Sequence, residues 1–143
     1  MKAKSIPLQE WQAPQEDVVL HFSEGSSEIY FRVWNEDSNL RDDIIGRLSF
    51  EGAWSVRSVK SECCPYLTDF EGRSSILEVV ESDWYKEIEM YYYSDFSRST
   101  LQNNSRHYIV KGHDIFFEIL AEGYKEEYIN KEYFNFPSIM KEL

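Results

Sequence analysis

The stretch from Lys111 to Tyr124, KGHDIFFEILAEGY, sets a histidine and three carboxylates among bulky apolar residues. In a β-strand, alternate side chains point to opposite faces, so Asp114, Glu118 and Glu122 would share one face. The other face is apolar from Ile115 to Ala121. Neighbours on one face lie roughly 7 Å apart, too far for two carboxylates to act as a touching pair. We therefore predict a core strand whose carboxylate face is either solvated or a docking surface for a basic protein.

Histidine and cysteine show no pattern typical of a catalytic or metal site. His21, His107 and His113 have neither H-x-x-x-H nor HExxH spacing, and the two cysteines, Cys63 and Cys64, are adjacent. Zinc sites need more widely spaced ligand pairs. GxSxG, P-loop and GxGxxG motifs do not occur in the sequence. We therefore predict a protein that is not an enzyme and that uses no metal ion or cofactor.

The length and net charge of the chain limit the classes of protein to which it can belong. Its 143 residues are enough for one domain with its own core. A net charge of -11 repels nucleic-acid phosphates and anionic lipids and attracts basic proteins. No apolar leader follows Met1, and no apolar run approaches the ~20 residues of a transmembrane helix. We expect a cytoplasmic protein with a basic protein partner, binding neither nucleic acid nor membranes.

A β-hairpin is predicted near the N terminus, with arms Val18–Phe22 and Glu28–Asn35 around a Gly-Ser turn. The second arm alternates, which is typical of a half-buried strand. One face carries Ile29, Phe31 and Val33, and the other carries Tyr30, Arg32 and Trp34. Tyr30 and Trp34 are therefore candidate aromatic anchors for a partner.

The remaining segments predict further strands and one helix. The run that contains Leu48, Phe50, Trp54 and Val56 forms one long strand, or two strands bent at Glu51–Gly52. After Glu81 the apolar period changes to that of a helix, with Ser82 placed to cap it. Two strands, or one kinked at Gly112, follow from residue 107, and the tail from Tyr124 suits a helix until Pro137.

These elements predict an α+β fold, a mainly antiparallel sheet of about six strands with one packed α-helix. Residues 1–143 form a single domain, in which residues 1–16 and 131–143 are loose or peripheral. The predicted core includes Trp84 beneath the helix and five further residues: Phe50, Trp54, Ile115, Phe117 and Ile119.

Three segments, FEGAWSVR (50–57), LEVVESDWYKEIE (77–89) and RHYIVKGHDIFFEILA (106–121), resemble a group of small bacterial proteins of unassigned function. That group carries F-x-G-x-W, E-V-x-x-S-x-W-x-x-E-L/I and H-Y-I-x-x-x-x-D-x-x-F-E motifs. The matching positions here include Phe50, Trp54, Ser82, Trp84, His107, Asp114 and Glu118. The loop after the F-x-G-x-W strand departs from the group's acidic, Gly- and Pro-containing pattern. The resemblance implies the fold and supplies no activity.

Three functional hypotheses remain open at this stage. The first is an acidic protein-interaction module, specifically an immunity-type inhibitor of a basic bacterial toxin, which would bind through Tyr30, Trp34, Asp114, Glu118 and Glu122. The second is a small ligand-binding or regulatory module with an aromatic-lined groove. The third is an enzyme in which His113 acts with Asp114 or Glu118.

Overall fold

Two antiparallel β-sheets and one α-helix make up the described part of the chain in this computed structural model, which covers residues 2–64, 75–95 and 105–132. The strands are β1 (Lys2–Pro7), β2 (Trp11–Gln12), β3 (Val19–Phe22), β4 (Ser27–Trp34), β5 (Leu40–Glu51), β6 (Ser55–Lys60), β7 (Ser75–Val80), β8 (Arg106–Lys111), β9 (Ile115–Ala121) and β10 (Gly123–Asn130). The helix α1 spans Asp83–Asp95, and a short 3₁₀ helix spans Ser61–Cys63. The α+β class with mainly antiparallel pairing is confirmed, but the predicted count of about six strands is wrong, because the described residues alone form ten strands in two sheets.

The first sheet has the strand order β1-β7-β8-β9-β6, and the second has the order β10-β5-β4-β2, with β3 also pairing with β4. The predicted hairpin is β3 and β4. The chain passes between the sheets at Gly52, whose φ of +58° is a left-handed conformation that glycine adopts without strain. Of the two predictions for this region, two strands bent at Glu51–Gly52 is therefore the one observed.

Apolar side chains from both sheets form one shared core. Ile29, Phe31 and Leu48 of the second sheet and Ile76 and Ile119 of the first belong to the same buried cluster. The chain runs from β1 in the first sheet to β2–β5 in the second, returns to the first for β6–β9 and ends with β10 in the second, so the core is closed by contacts far apart in sequence.

Glycine makes one close approach in this core possible. Gly46 faces the Phe31 ring across β4 and β5, and a Cβ atom built on it would lie 2.2 Å from Phe31 Cζ. The ring also packs edge-on against Tyr128 of β10. A side chain at position 46 would therefore displace Phe31 from its site.

The helix α1 lies on the face of the first sheet that points away from the second. Ser82 caps it as predicted, with its Oγ accepting a hydrogen bond from the Tyr85 backbone N–H at 3.0 Å. Trp84 is buried as predicted, and its ring lies edge-on to His107 of β8. The start of α1 therefore covers the part of this sheet face around His107.

Predictions about burial in β9 are partly wrong. Ile119 is fully buried as expected, but Phe117 is only half-buried where it packs against the shared core. Ile115 is 42% exposed because it directly follows the turn at the end of the sheet. Phe50 is buried, and Trp54 is half-buried against Tyr85.

The N-terminal segment, residues 1–16, is predicted to be loose or peripheral. Its strand β1 lies at the edge of the first sheet, where it pairs along its whole length with β7, and Leu8 and Ala13 are buried. The segment after Tyr124, whose sequence is ambiguous and also suits a helix, is strand β10, paired with β5. Most of the range 131–143 lies outside the described residues.

Candidate interaction site

Glu118 does not lie on a solvated face, contrary to prediction, since only 2% of it is exposed beneath α1. Arg57, directly opposite on β6, donates two hydrogen bonds to its carboxylate, from Nε at 2.7 Å and Nη2 at 3.0 Å. His107 Nε2 lies 2.7 Å from the same group. Burial alone would raise the pKa of Glu118, but these partners outweigh burial and hold the pKa below the usual carboxyl value.

The other side of His107 is fixed by the cap of α1. Ser82 Oγ lies 2.7 Å from His107 Nδ1 while it accepts the Tyr85 N–H. In the neutral imidazole, Ser82 O–H therefore donates to Nδ1, and Nε2–H donates to Glu118. We call Ser82, His107, Glu118 and Arg57 the Glu118 network.

Hydroxyl, imidazole and carboxylate in this order are the groups of a nucleophilic triad. Here, however, Ser82 is 6% exposed and its oxygen also caps α1. Arg57 stacks on the Trp84 ring at 4.1 Å, which covers the network from the helix side. The geometry therefore favours a structural tie among α1, β6, β8 and β9 over a nucleophile that a substrate could reach.

Four positions that carry the resemblance, Ser82, Trp84, His107 and Glu118, meet in or against this network. Sequence reasoning placed them on separate elements and did not bring them together. The signal that would have found them is the pair of polar residues, His107 and Glu118, inside otherwise apolar strands, because buried polar groups need partners.

His113, the residue proposed to work with Glu118 or Asp114, lies apart from the Glu118 network. Its Nδ1 is 3.1 Å from the Pro14 carbonyl oxygen, and its Nε2 is 3.8 Å from Asp114, beyond hydrogen-bonding distance. The pairing with Glu118 required by the enzyme hypothesis is therefore formed by His107 instead.

Asp114 and Glu122 are both exposed, at opposite ends of β9. Gln12 Nε2 donates to the Lys111 carbonyl oxygen, which puts the Asp114 end of the first sheet beside β2. Glu122 lies over Gly52 at the other end. The predicted continuous carboxylate face is thus divided into two separate exposed ends and a buried centre.

The prediction that Tyr30 is an exposed anchor is also wrong. The residue is buried on the outer face of the second sheet, where it packs with Ile45. Its hydroxyl group donates to Glu28 Oε2 at 3.4 Å, and burial foremost raises its pKa. Arg32, two residues along, is 3% exposed. Its Nε and Nη1 have no hydrogen-bond partner in the described structure, and Asp42 is 3.8 Å from Nη2.

Trp34 remains available as an anchor, and the fold gives it an aromatic partner. It is directly opposite Trp11 in the β2–β4 pairing, and both indoles are half-buried. They line a surface groove of about 330 Å³ whose other lining residues are Gln9, Glu10, Asn35, Glu36 and Arg41. We call it the Trp11–Trp34 groove.

A tight turn presents the acidic side of this groove. Asn35 Oδ1 accepts hydrogen bonds from the backbone N–H groups of Asp37 and Asn39, at 3.0 and 3.1 Å. Ser38 adopts a left-handed φ of +62° in the same turn. These bonds hold Glu36 at the mouth, where Glu10 of the preceding segment also lies.

Arg41 is the positively charged side chain in the lining of the groove. Its Nε and Nη2 bind the two oxygens of Asp43 at 3.1 and 2.6 Å, and its Nη1 is 3.9 Å from Glu10 Oε1. Hydrogen bonding to Asp43 foremost raises the pKa of Arg41, and the pKa of Asp43 is lowered in return. The groove thus holds aromatic walls, carboxylates and a guanidinium together.

Sequence analysis identified Trp34 and missed Trp11, Glu10, Glu36 and Arg41. A usable signal existed, since the segments Glu10–Trp11 and Trp34–Glu36 each place an indole beside a carboxylate. Their meeting depends on the two-residue strand β2, which is too short to show any period.

Comparison of the chain with family models, curated proteins and solved structures finds no significant match. The resemblance of the three segments to small bacterial proteins therefore stays a prediction. Within residues 2–64, 75–95 and 105–132, no group of three or more His, Cys, Asp or Glu side chains could hold a metal ion. In the same residues no helix is long and apolar enough to cross a membrane.

Proposed function

We propose that the chain is an acidic, cytoplasmic protein-interaction module that docks a basic protein partner in the Trp11–Trp34 groove, as an immunity-type inhibitor of a bacterial toxin would. The observation that carries this proposal is the pair of half-buried indoles beside Glu10 and Glu36 at one end of the second sheet. Aromatic rings at the centre of an interface supply affinity, and carboxylates around them select a basic partner.

The binding residues are revised accordingly. Trp34 keeps the role of anchor and gains Trp11, while Tyr30 and Glu118 are removed because both are buried. Asp114 is left outside the docking region, because Gln12, which contacts the first sheet near it, points away from the face of β2 that carries Trp11. Glu122, at the far end of β9, is left outside the docking region.

Net charge supports the same partner class. The chain carries 26 acidic and 15 basic residues, with a net charge of -11. Such a surplus raises the rate at which a basic protein associates and repels acidic competitors. An acidic surface of this kind would also compete with nucleic acid for the binding surface of a basic nuclease.

A ligand-binding module is the second candidate, favoured by the groove volume of about 330 Å³. That volume is at the lower end of the range of small-molecule sites, roughly 300–1,000 Å³. It suits one long side chain or one small compound.

Photo-crosslinking in the native host separates the two candidates. A benzoylphenylalanine residue placed at position 34 should form a covalent adduct with a basic protein, identified by mass spectrometry. The same residue at position 122, at the other end of β9, is the matched control and should yield little of that adduct. Equal yield from both positions, or no protein adduct from position 34, would contradict docking in the groove.

A further inference from the structure

The Trp11–Trp34 groove already contains a guanidinium, which belongs to the chain itself. Arg41 enters it from β5, held by Asp43 through two hydrogen bonds and directed at Glu10 across 3.9 Å. A distance of 3.9 Å is too long for a hydrogen bond, so Glu10 is only weakly neutralised. Among the described residues, no Lys, Arg or His side chain forms an ion pair with Glu36.

The walls of the groove suit a planar cation. Trp11 and Trp34 are paired in register across β2 and β4 and both line the groove, and among aromatic rings a cation gains most from tryptophan. Guanidinium is flat, presents donors in several directions and is weakly hydrated, whereas ammonium is a compact and strongly hydrated charge. A site with aromatic walls and two separate carboxylates therefore selects arginine over lysine.

We infer that the Trp11–Trp34 groove recognises an arginine side chain of the partner, and that Arg41 competes with this arginine for the groove. The inference rests on the proposed function, because it names the residue type that a basic partner inserts. The incoming guanidinium takes Glu10 and Glu36 as counter-ions, while Arg41 stays on Asp43. The two guanidinium groups repel each other because both are positively charged, so Arg41 lowers the affinity of the groove for the partner's arginine.

A titration with short peptides tests this inference without any knowledge of the partner. The probes are acetyl-Gly-Arg-Gly-amide, the same peptide with lysine, and the same peptide with citrulline, which has the shape of arginine without its charge. The readout is the indole N–H resonances of the ¹⁵N-labelled protein. We expect the arginine peptide to shift the resonances of Trp11 and Trp34 and to leave those of Trp54 and Trp84 unmoved.

Two variants with the same charge change isolate the role of Arg41. Arg41→Gln should tighten binding of the arginine peptide on the order of fivefold, since it removes a like charge from the groove. Arg106→Gln alters net charge equally, but Arg106 pairs with Glu78 at the start of β8 in the first sheet, whereas the groove lies on the second sheet. It should leave the peptide affinity within about twofold.

The outcomes separate this inference from the proposed function. Citrulline binding as tightly as arginine, Arg106→Gln tightening binding as much as Arg41→Gln, or no indole shift in the Arg41→Gln protein would each overturn the arginine site. If a basic protein still crosslinks from position 34 after such a result, the groove is a docking point that does not read arginine. If the peptides bind as expected and no protein crosslinks, the site is for a small guanidinium compound.

Discussion

Arg57, His107 and Ser82 determine the state of Glu118, the most enclosed carboxylate of the described chain. Its hydrogen bonds of 2.7 to 3.0 Å satisfy both oxygens. A buried charge of this kind is tolerated only when it is fully partnered. The main role of the network is therefore to fix how α1 packs against three strands. Its net contribution to stability is smaller.

Stability should fall in acid because of Glu118. Its pKa is lowered by folding, so its contribution is present above the carboxyl pKa of the unfolded chain and is lost as pH falls through the folded pKa. Glu118→Gln should reduce stability at pH 7 by roughly 1–3 kcal/mol, since the partner left behind, Arg57, is 40% exposed and can be solvated, and it should flatten the acid side of the stability curve. Urea denaturation from pH 7 to pH 3 measures both. The exposed Glu122→Gln serves as control at pH 7, and an equally steep acid side in Glu118→Gln would contradict this assignment.

Removing the buried charge of Arg32 should have the opposite effect on stability from removing the charge of Glu118. Two of its nitrogens are unsatisfied in the described structure, and Asp42 is too distant for a hydrogen bond. Arg32→Met should therefore leave stability unchanged or raise it by up to about 2 kcal/mol. On the same face, Arg47 pairs with Glu127, so Arg47→Met should lose about 1 kcal/mol. A loss of more than about 2 kcal/mol in Arg32→Met, seen in urea denaturation, would show that Arg32 has a strong partner.

At the scale of elements, the start of α1 joins the helix to the first sheet through one hydroxyl group. Ser82→Ala removes both the N-cap and the partner of His107 Nδ1, so it should cost about 1–3 kcal/mol. Ser82→Thr keeps the hydroxyl and should cost less than about 1 kcal/mol. Thermal unfolding of the two variants measures the difference. Equal stability of Ser82→Ala and the wild type would mean that the cap contributes nothing.

The contact between β4 and β5 predicts a compensating pair of substitutions. Gly46→Ala puts a methyl group inside the Phe31 ring volume and should cost about 1–3 kcal/mol. Phe31→Leu in the same chain makes room, so the double variant should be more stable than the sum of the two single losses. Strict additivity in urea denaturation would indicate that the ring and the new methyl group do not meet.

Elements with an unambiguous period were predicted from sequence, and the others failed for physical reasons. The hairpin β3–β4 and the start of α1 carry clear signals and are found where expected. Tyr124 and Tyr128 are four residues apart, a spacing that fits one face of a helix and one face of a strand equally. In β10 they face the core, with Glu126 accepting hydrogen bonds from the Gln9 N–H and from Tyr128.

The faces of β9 failed for a different reason. The alternation that suggests a wet carboxylate face is real, but α1 covers that face and supplies Trp84 and Ser82 against it. A covering element cannot be read from the period of the strand it covers. For the candidate site, the sequence indicated Trp34, which lines the groove, and could not indicate Trp11, because β2 acquires its place only through pairing with β4.

At the scale of the whole molecule, the acidic surplus should govern how fast the partner arrives. Raising salt from 0.05 to 0.5 M should slow association with a basic partner by about tenfold or more, because exposed charges are screened beyond the Debye length. Dissociation should change little, since the indoles are already desolvated in the complex. Stopped-flow or surface kinetics with the crosslinked partner measures both rates. An association rate that does not respond to salt would remove the role of net charge.

Docking in the Trp11–Trp34 groove should be visible in the rate at which the Trp34→Ala protein dissociates from that partner. An anchor at the centre of an interface contributes about 2 kcal/mol or more, so the dissociation rate should rise by roughly 30-fold or more, while the association rate stays within about threefold. Glu122→Gln, outside the docking region, should leave the dissociation rate unchanged. A dissociation rate for Trp34→Ala equal to that of the wild type would contradict docking in the groove.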